Sequence, residues 1–228
     1  MKNNCFMADI SMKKYERTFR YNDVEVLKLT IKYPVVNMMY NPHSEIVINN
    51  QISTDVREYM RYAGYLYKQA VNFYHDSKKN DFPFHTYEAY MEYTVTYNEN
   101  CFLSMYYDKY EFTGGAHGNT VRSSHTWELC SSMLIELCNL FRPGTDYKYF
   151  LTDKIIAQAG QNLRQNPGIY FGEYESLIVK NFNENSFYLT PEGLTLYYQQ
   201  YDIAPYSTGI VQFTIPYSEI QWYPRCSF

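Results

Sequence analysis

The chain has 228 residues, a formal net charge of -4 and a pI of about 5.7. This length predicts one large domain or two small ones, and the acidic balance excludes the basic surface that nucleic-acid binding requires. With 46% apolar residues, 10 Gly and 9 Pro, the composition also excludes a disordered or low-complexity chain. Its unusual feature is tyrosine: 27 Tyr, with 14 Phe and 2 Trp, bring the aromatic share to 19%. Tyrosine suits both half-buried sheet faces and wet recognition surfaces, and composition does not separate these two interpretations.

The first elements in chain order are a predicted hairpin and a predicted helix. Residues 13–21 and 24–33 flank Asn22 and Asp23 and alternate apolar with polar side chains, which predicts a β-hairpin that ends at Pro34.

From residue 45 to about 67, apolar positions recur every three or four residues, the period of an amphipathic helix. The polar stretch 75–83 that follows predicts an exposed loop or a domain boundary.

The rest of the chain predicts mostly strands. Alternation over 87–97 and the run 101–112 predict a second hairpin, and 120–129 a third strand. Apolar spacing over 147–163 predicts a second helix that stops near Asn166 and Pro167. Short strands are predicted at 177–182, 187–189, 194–199 and 210–215, with a hairpin turn at 190–193.

These elements predict an α+β fold, a mainly antiparallel sheet with two principal helices packed on it. We expect a hairpin-plus-helix module over residues 1–85 and a C-terminal domain over 86–228, packed as one compact unit.

The cysteines and the apolar runs leave the compartment open. The absence of any CxxC excludes a zinc ribbon or a thioredoxin motif, and free thiols packed as small hydrophobes are the first interpretation. One disulfide from Cys130 or Cys138 is the alternative if the protein is exported. No apolar run approaches a membrane span, and the first 20 residues lack the apolar core of a signal peptide. The five cysteines are Cys5, Cys101, Cys130, Cys138 and Cys226.

The most distinctive local sequence is the glycine loop at residues 113–119, TGGAHGN. Its glycines permit unusual backbone angles or close backbone approach, and small neighbours leave His117 unshielded. The loop is either a ligand site or an inter-strand connection whose glycines satisfy backbone geometry. It lacks the pattern of a phosphate loop. The candidate ligand-binding residues here are Tyr110, Glu111, Gly114, Gly115, His117 and Asn119.

Catalytic and metal-binding patterns are missing from the sequence. The five histidines show no HxxxH or HExxH spacing, and no GxSxG motif precedes a helix. We therefore assign no catalytic residue, metal or cofactor. The competing hypothesis is a hydrolase that uses Glu111, His117 and Asp108, since glycosidases need two carboxylates at a suitable separation.

A second candidate surface lies near the C-terminus. Tyr201 and Tyr206, with neighbouring tyrosines, predict an aromatic platform for a glycan or a protein partner, and packing under a loop is the alternative.

Four strings, in order over about 110 residues, resemble the extracytoplasmic domain of RsiV-type anti-sigma factors. The same domain is similar to a non-catalytic module found beside some peptidoglycan and polysaccharide deacetylases, and the N-terminal hairpin and helix resemble the module that commonly precedes it. The strings are YEFTGGAHGNT (110–120), LFRPGTDY (140–147), FYLTPEGLTLYYQQYDIAPYSTGI (187–210) and FTIPYSEI (213–220).

This resemblance implies an α+β fold whose C-terminal part is related in shape to a subdomain of the heat-shock ATPases. It also implies an extracytoplasmic location, although no signal peptide is visible in this chain, and brings no catalytic residue set. We therefore predict a non-catalytic cell-envelope binding or sensor module that recognises a lysozyme-like protein or a cell-wall glycan. The alternative is a cell-envelope glycan hydrolase or a deacetylase-associated enzyme. The oligomeric state stays open.

Overall fold

The structure, a computed structural model, describes residues 7–226 and has the predicted α+β class. The strands form a six-stranded sheet in the order β1-β2-β3-β4-β5-β6 and a three-stranded sheet in the order β7-β8-β9. In chain order the elements are β1 (Asp9–Tyr21), β2 (Val24–Asn37), α1 (Pro42–Asn80), β3 (Tyr87–Glu99), β4 (Phe102–Phe112), β5 (Asn119–Glu128), β6 (Met133–Leu134), α2 (Tyr147–Gln165), α3 (Tyr174–Lys180), β7 (Phe187–Thr190), β8 (Gly193–Tyr198), β9 (Val211–Ile215) and α4 (Tyr217–Ile220).

The predicted first hairpin is confirmed. Asn22 and Asp23 connect β1 to β2 with positive φ angles of 46° and 63°, the left-handed pair that matches the twist of a two-residue hairpin. The expected end at Pro34 is wrong, because β2 pairs with β1 as far as Asn37. The parallel pairing of β2 with β3 already ends at Lys32, so Pro34 lies beyond it and removes no hydrogen bond between these two strands.

Helix α1 is longer than predicted and runs 39 residues to Asn80. The stretch 75–80 is therefore helix rather than loop, and the helix ends only at Asp81, whose left-handed φ of 55° closes the last turn. The segment reads as polar because most of its side chains are exposed. The buried face that packs on β2 has the predicted helical spacing: Ile48, Ile52, Val56, Tyr59, Ala63, Leu66 and Ala70.

Residue contacts divide the chain into two compact units, each built from separate stretches. The α1 unit contains Asp9–Tyr93 and Tyr107–Val121. The C-terminal unit, within the described residues, contains 7–8, Thr94–Tyr106 and 122–226. The linear division at residue 85 stays a prediction.

The C-terminal unit has its own hydrophobic core around β7, β8, β9 and α2. The predicted helix α2 and the turn between Thr190 and Gly193 are confirmed. The strand expected at 177–182 is wrong, since this stretch lies mainly in α3. Only Ile178 of its apolar residues is fully buried, and so short a run cannot distinguish helix from strand by periodicity.

Buried tyrosines of this core place their hydroxyl groups on backbone carbonyls. Tyr198 donates to the carbonyl of Ile178 at 3.0 Å, and Tyr217 donates to that of Thr190 at 2.7 Å. Packing with a satisfied hydroxyl thus accounts for these rings without a ligand.

The expectation of free thiols is wrong for two cysteines. Cys101 and Cys226 form a disulfide across a sequence separation of 125 residues, and it is not made by Cys130 or Cys138, which are exposed. Cys5 lies outside the described residues. Such a long separation leaves no spacing signal, because only the tertiary structure brings the two thiols together.

Among the helices of residues 7–226, none has the sustained apolar stretch that a membrane-spanning segment needs.

Candidate functional site

The glycine loop is shaped by close packing against two aromatic rings. The ring of Tyr110 covers Gly118 so closely that a Cβ atom there would collide with it. Gly114 has a φ of 82°, and a Cβ on it would lie 2.9 Å from Cε1 of Phe73. Gly115 has no such neighbour within 4 Å. Two of the loop glycines therefore leave the space that these aromatic rings occupy, and Gly114 also has a left-handed φ.

The residues of the hydrolase hypothesis do not converge. His117 is exposed, and its Nδ1 lies 2.9 Å from the carbonyl oxygen of Gly118. Asp108 and Glu111 stand on the same strand, β4, three positions apart, so their side chains leave opposite faces of the sheet. Glu111 instead lines a cleft that neither Asp108 nor His117 borders.

This cleft, which we call the tyrosine cleft, is a cavity of about 430 Å³ in the α1 unit. Its helical wall is formed by the residues at positions 55, 58, 59 and 62, which share one face of α1. Alternate residues of β4 and β5 form the other walls, because every second side chain of a strand points the same way. The lining residues are Asp55, Glu58, Tyr59 and Tyr62 from α1, Tyr107, Lys109 and Glu111 from β4, and Asn119 and Val121 from β5.

Two of the predicted site residues, Glu111 and Asn119, therefore meet in the tyrosine cleft. The contribution of α1 was not predicted, because Asp55, Tyr59 and Tyr62 follow the spacing that any face of an amphipathic helix shows.

The floor of the cleft is fixed by buried hydrogen bonds. Tyr59, only 3% exposed, contacts the carbonyl oxygens of Tyr90 at 3.3 Å and Tyr110 at 3.1 Å through its hydroxyl. The carboxylate of Asp55 accepts from the hydroxyl of Tyr93 at 2.9 Å and from the amide of Gln51 at 3.0 Å. The contacts of Tyr59 and the bond from Tyr93 hold the helical wall against the sheet, whereas the bond from Gln51 lies within α1.

The mouth of the cleft is more exposed and carries a perturbed carboxyl group. Tyr62, 39% exposed, donates its hydroxyl to Oε2 of Glu111 at 3.1 Å. Burial raises the pKa of Glu111, while the Tyr62 hydrogen bond and the charge of Lys109 oppose that shift. Burial and the charge of Glu111 raise the pKa of Tyr62 to about 12. Tyr62 is therefore a neutral hydrogen-bond donor at neutral pH.

Aromatic rings continue outward from the cleft along α1. The ring centroids of Tyr59 and Tyr62 are 6.4 Å apart, and those of Tyr62 and Tyr65 are 5.9 Å apart. Tyr65 is 54% exposed, so this row of rings extends from the buried floor to solvent.

The chemistry of the lining suits recognition of a polar ligand with flat apolar faces. Tyrosine rings offer stacking surfaces, and carboxylates with an amide accept hydrogen bonds from hydroxyl or amino groups. Across residues 7–226, no group of three or more His, Cys, Asp or Glu side chains is placed to hold a metal ion.

The two site residues predicted near the C-terminus, Tyr201 and Tyr206, lie together in the C-terminal unit. The rings of Tyr201 and Tyr206 are 5.9 Å apart, and Tyr201 is 52% exposed with a left-handed φ of 68°. Asp202 braces this loop by accepting from the backbone N–H of Gln199 at 2.7 Å. The ring pair forms as expected, and its role in binding stays a prediction.

Two family models match successive parts of the chain. Residues 21–120 match the family described as deacetylase PdaC, and residues 138–218 match a family of proteins of unknown function, DUF3298. The peptidoglycan-N-acetylmuramic acid deacetylase PdaC of Bacillus subtilis (strain 168) is 20% identical over 214 residues, which cover 89% of this chain and 42% of that protein. The chain thus spans less than half the length of this curated relative.

Two solved structures of DUF3298 family proteins share the fold. The one from Bacteroides fragilis NCTC 9343 superposes with a TM-score of 0.73 at 22% identity, covering 96% of this chain and 94% of that one. The one from Pseudomonas aeruginosa PAO1 has a TM-score of 0.63 at 17% identity, covering 95% and 93%. At 22% and 17% identity these likenesses show a shared fold.

Proposed function

We propose that this protein is a non-catalytic binding module of the cell envelope that recognises a cell-wall glycan in the tyrosine cleft. The observation that carries the proposal is the lining of the cleft, where Tyr59, Tyr62 and Tyr107 lie beside carboxylates and the amide of Asn119. Sugars present apolar ring faces and many hydroxyl groups, and a concave site with aromatic walls and a few polar groups complements both.

The comparisons support a cell-envelope ligand. The Bacillus relative is named for its action on peptidoglycan, and the PdaC match over 21–120 includes every residue of the cleft except Val121. A disulfide between Cys101 and Cys226 supports an extracytoplasmic location, because disulfides persist in oxidising compartments.

Binding of the full chain to purified peptidoglycan tests the proposal. We expect Tyr62→Ala to weaken binding about tenfold, as loss of a central aromatic contact does at other interfaces. Tyr40→Ala is the matched control, because Tyr40 belongs to the same unit and is 66% exposed but does not line the cleft. Absence of binding at saturation, or equal binding by both variants, would contradict the proposal.

A hydrolase is the second candidate, favoured by the raised pKa of Glu111 beside other carboxylates in one cleft. Release of soluble sugar fragments from peptidoglycan, abolished by Glu111→Gln, would support it over pure binding.

A lysozyme-like protein is the second proposed ligand, supported by the resemblance to RsiV-type ectodomains and by the exposed ring of Tyr201. Pull-down of lysozyme by the wild-type chain, lost in Tyr201→Ala, tests this ligand.

A further inference from the structure

We infer that the tyrosine cleft selects glycans whose hexosamine nitrogens are free amines, carried as ammonium groups, over the same glycans with acetylated nitrogens. This inference rests on the proposed function and names the ligand class of the same site.

The walls of the cleft carry an excess of negative charge. Asp55, Glu58 and Glu111 line the cleft, and within the described lining Lys109 is the one cation that faces them. The side chain of Glu58 is 62% exposed and has a loose ion pair of 3.6 Å with Arg61 on the same helix. A cationic ligand gains from this acidic excess, whereas a neutral acetamide does not.

The acidic groups of the cleft lie beside tyrosine rings. Tyr62 and Tyr107 line the same space, and the ammonium group of Lys109 already lies 5.6 Å from the ring centroid of Tyr107. Tyr107 is buried, whereas Tyr62 is 39% exposed, so an ammonium group on a sugar can make a cation–π contact with the face of Tyr62 while the carboxylates neutralise its charge. Stacking alone would hold either glycan, so the charges decide between them.

The carboxyl group of Glu111, at the mouth of the cleft, is only partly compensated by its neighbours. Glu111 is half-buried and hydrogen-bonded to Tyr62, an arrangement in which a second cation beside it would be favourable. The charge of Lys109 only partly offsets the rise that burial causes in the pKa of Glu111. An ammonium group of a ligand beside Glu111 would further favour its charged form.

Calorimetric titration of the full chain with glucosamine and N-acetylglucosamine oligosaccharides of equal length tests the inference, at a pH where the glucosamine amines are protonated. We expect the glucosamine oligosaccharide to bind about tenfold more tightly. This preference should shrink as the salt concentration rises, because the cleft opens to solvent.

Variants that change the charge of cleft residues test whether the preference for free amines arises in the tyrosine cleft. Glu58→Gln should reduce it about threefold, while Glu16→Gln, the same charge change on an exposed residue outside the cleft, should leave it unchanged. Lys109→Gln should increase the preference, because it removes the cation that competes with the ligand.

The outcomes separate this inference from the proposed function. Equal binding of both oligosaccharides, lost in Tyr62→Ala, overturns the amine preference and leaves glycan binding intact. A preference that Glu58→Gln and Lys109→Gln do not change also overturns it, because the cation is then recognised elsewhere. If neither oligosaccharide binds, and peptidoglycan does not bind either, the proposed function fails and the inference fails with it.

Discussion

The glycine loop and the tyrosine cleft belong to the same α1 unit but differ in what their residues do. In the loop, Gly114 and Gly118 lie against the rings of Phe73 and Tyr110, and the exposed His117 does not line the cleft. In the cleft, no sequence motif is visible, yet carboxylates, tyrosines and an amide meet around one cavity.

This difference shows that a distinctive local sequence can mark a constraint on the backbone rather than a site of chemistry. A glycine is required where another atom occupies the place of its Cβ. Ligand-binding groups, in contrast, need only to converge in space, and a helix and two strands can bring them together from distant positions.

Gly118→Ala should lower the free energy of unfolding by about 2 kcal/mol, because the added methyl group forces the Tyr110 ring from its place. Chemical denaturation of the full chain measures the loss. Gly115→Ala is the control, and we expect a change within about 0.5 kcal/mol because nothing lies within 4 Å of its Cβ position. Equal stability of the two variants would show that the loop is not held by this contact.

Tyr59→Phe should lower the free energy of unfolding by about 1 kcal/mol, because it removes a buried donor from the carbonyl oxygens of Tyr90 and Tyr110. Tyr62→Phe should change it by less than about 0.5 kcal/mol, since Tyr62 is more exposed. Denaturation curves of both variants compare the floor of the cleft with its mouth. A larger loss in Tyr62→Phe would reverse the roles that we assign to the two rings.

Glu111 and Glu92, both in the α1 unit, should respond to pH in opposite directions. Burial raises the pKa of Glu111, so the stability that its protonated form contributes is present below the ordinary pKa and is lost as the pH rises through the folded value. The hydrogen bond from Tyr90, together with Lys32, lowers the pKa of Glu92, so its contribution is present above the ordinary pKa and is lost as the pH falls through the lowered folded value.

The comparison of Glu111→Gln with Glu92→Gln by denaturation at several pH values measures both effects. Relative to wild type, Glu111→Gln should gain stability as the pH rises through the raised pKa. Glu92→Gln should lose stability over the range above its lowered pKa. The same pH trend in both variants would contradict the burial of Glu111 in the cleft.

Local patterns were sufficient for much of the fold. The turn at Asn22 and Asp23 and the core face of α1 followed from short-range spacing, and so did helix α2. Predictions failed where the pattern was ambiguous or depended on distant residues. The run around Ile178 was too short to separate helix from strand, and the polar end of α1 resembled a loop.

In the candidate site, too, residues near a local pattern were predicted and residues brought in by distant contacts were not. Glu111 and Asn119 were predicted because Glu111 lies just before a conspicuous loop and Asn119 is its last residue, and both line the cleft. Asp55 and Tyr62 were not, because nothing in their own neighbourhood distinguishes them from other residues of an amphipathic helix.

The α+β class, the hairpins and the two principal helices follow from local sequence, since each depends on periodicity or turn chemistry within a few residues. Tertiary contacts bring Cys101 to Cys226, place aromatic rings against the loop glycines, and gather carboxylates of α1 and β4 around one cavity. These facts depend on contacts between residues far apart in the chain, and periodicity carries no information about such pairs.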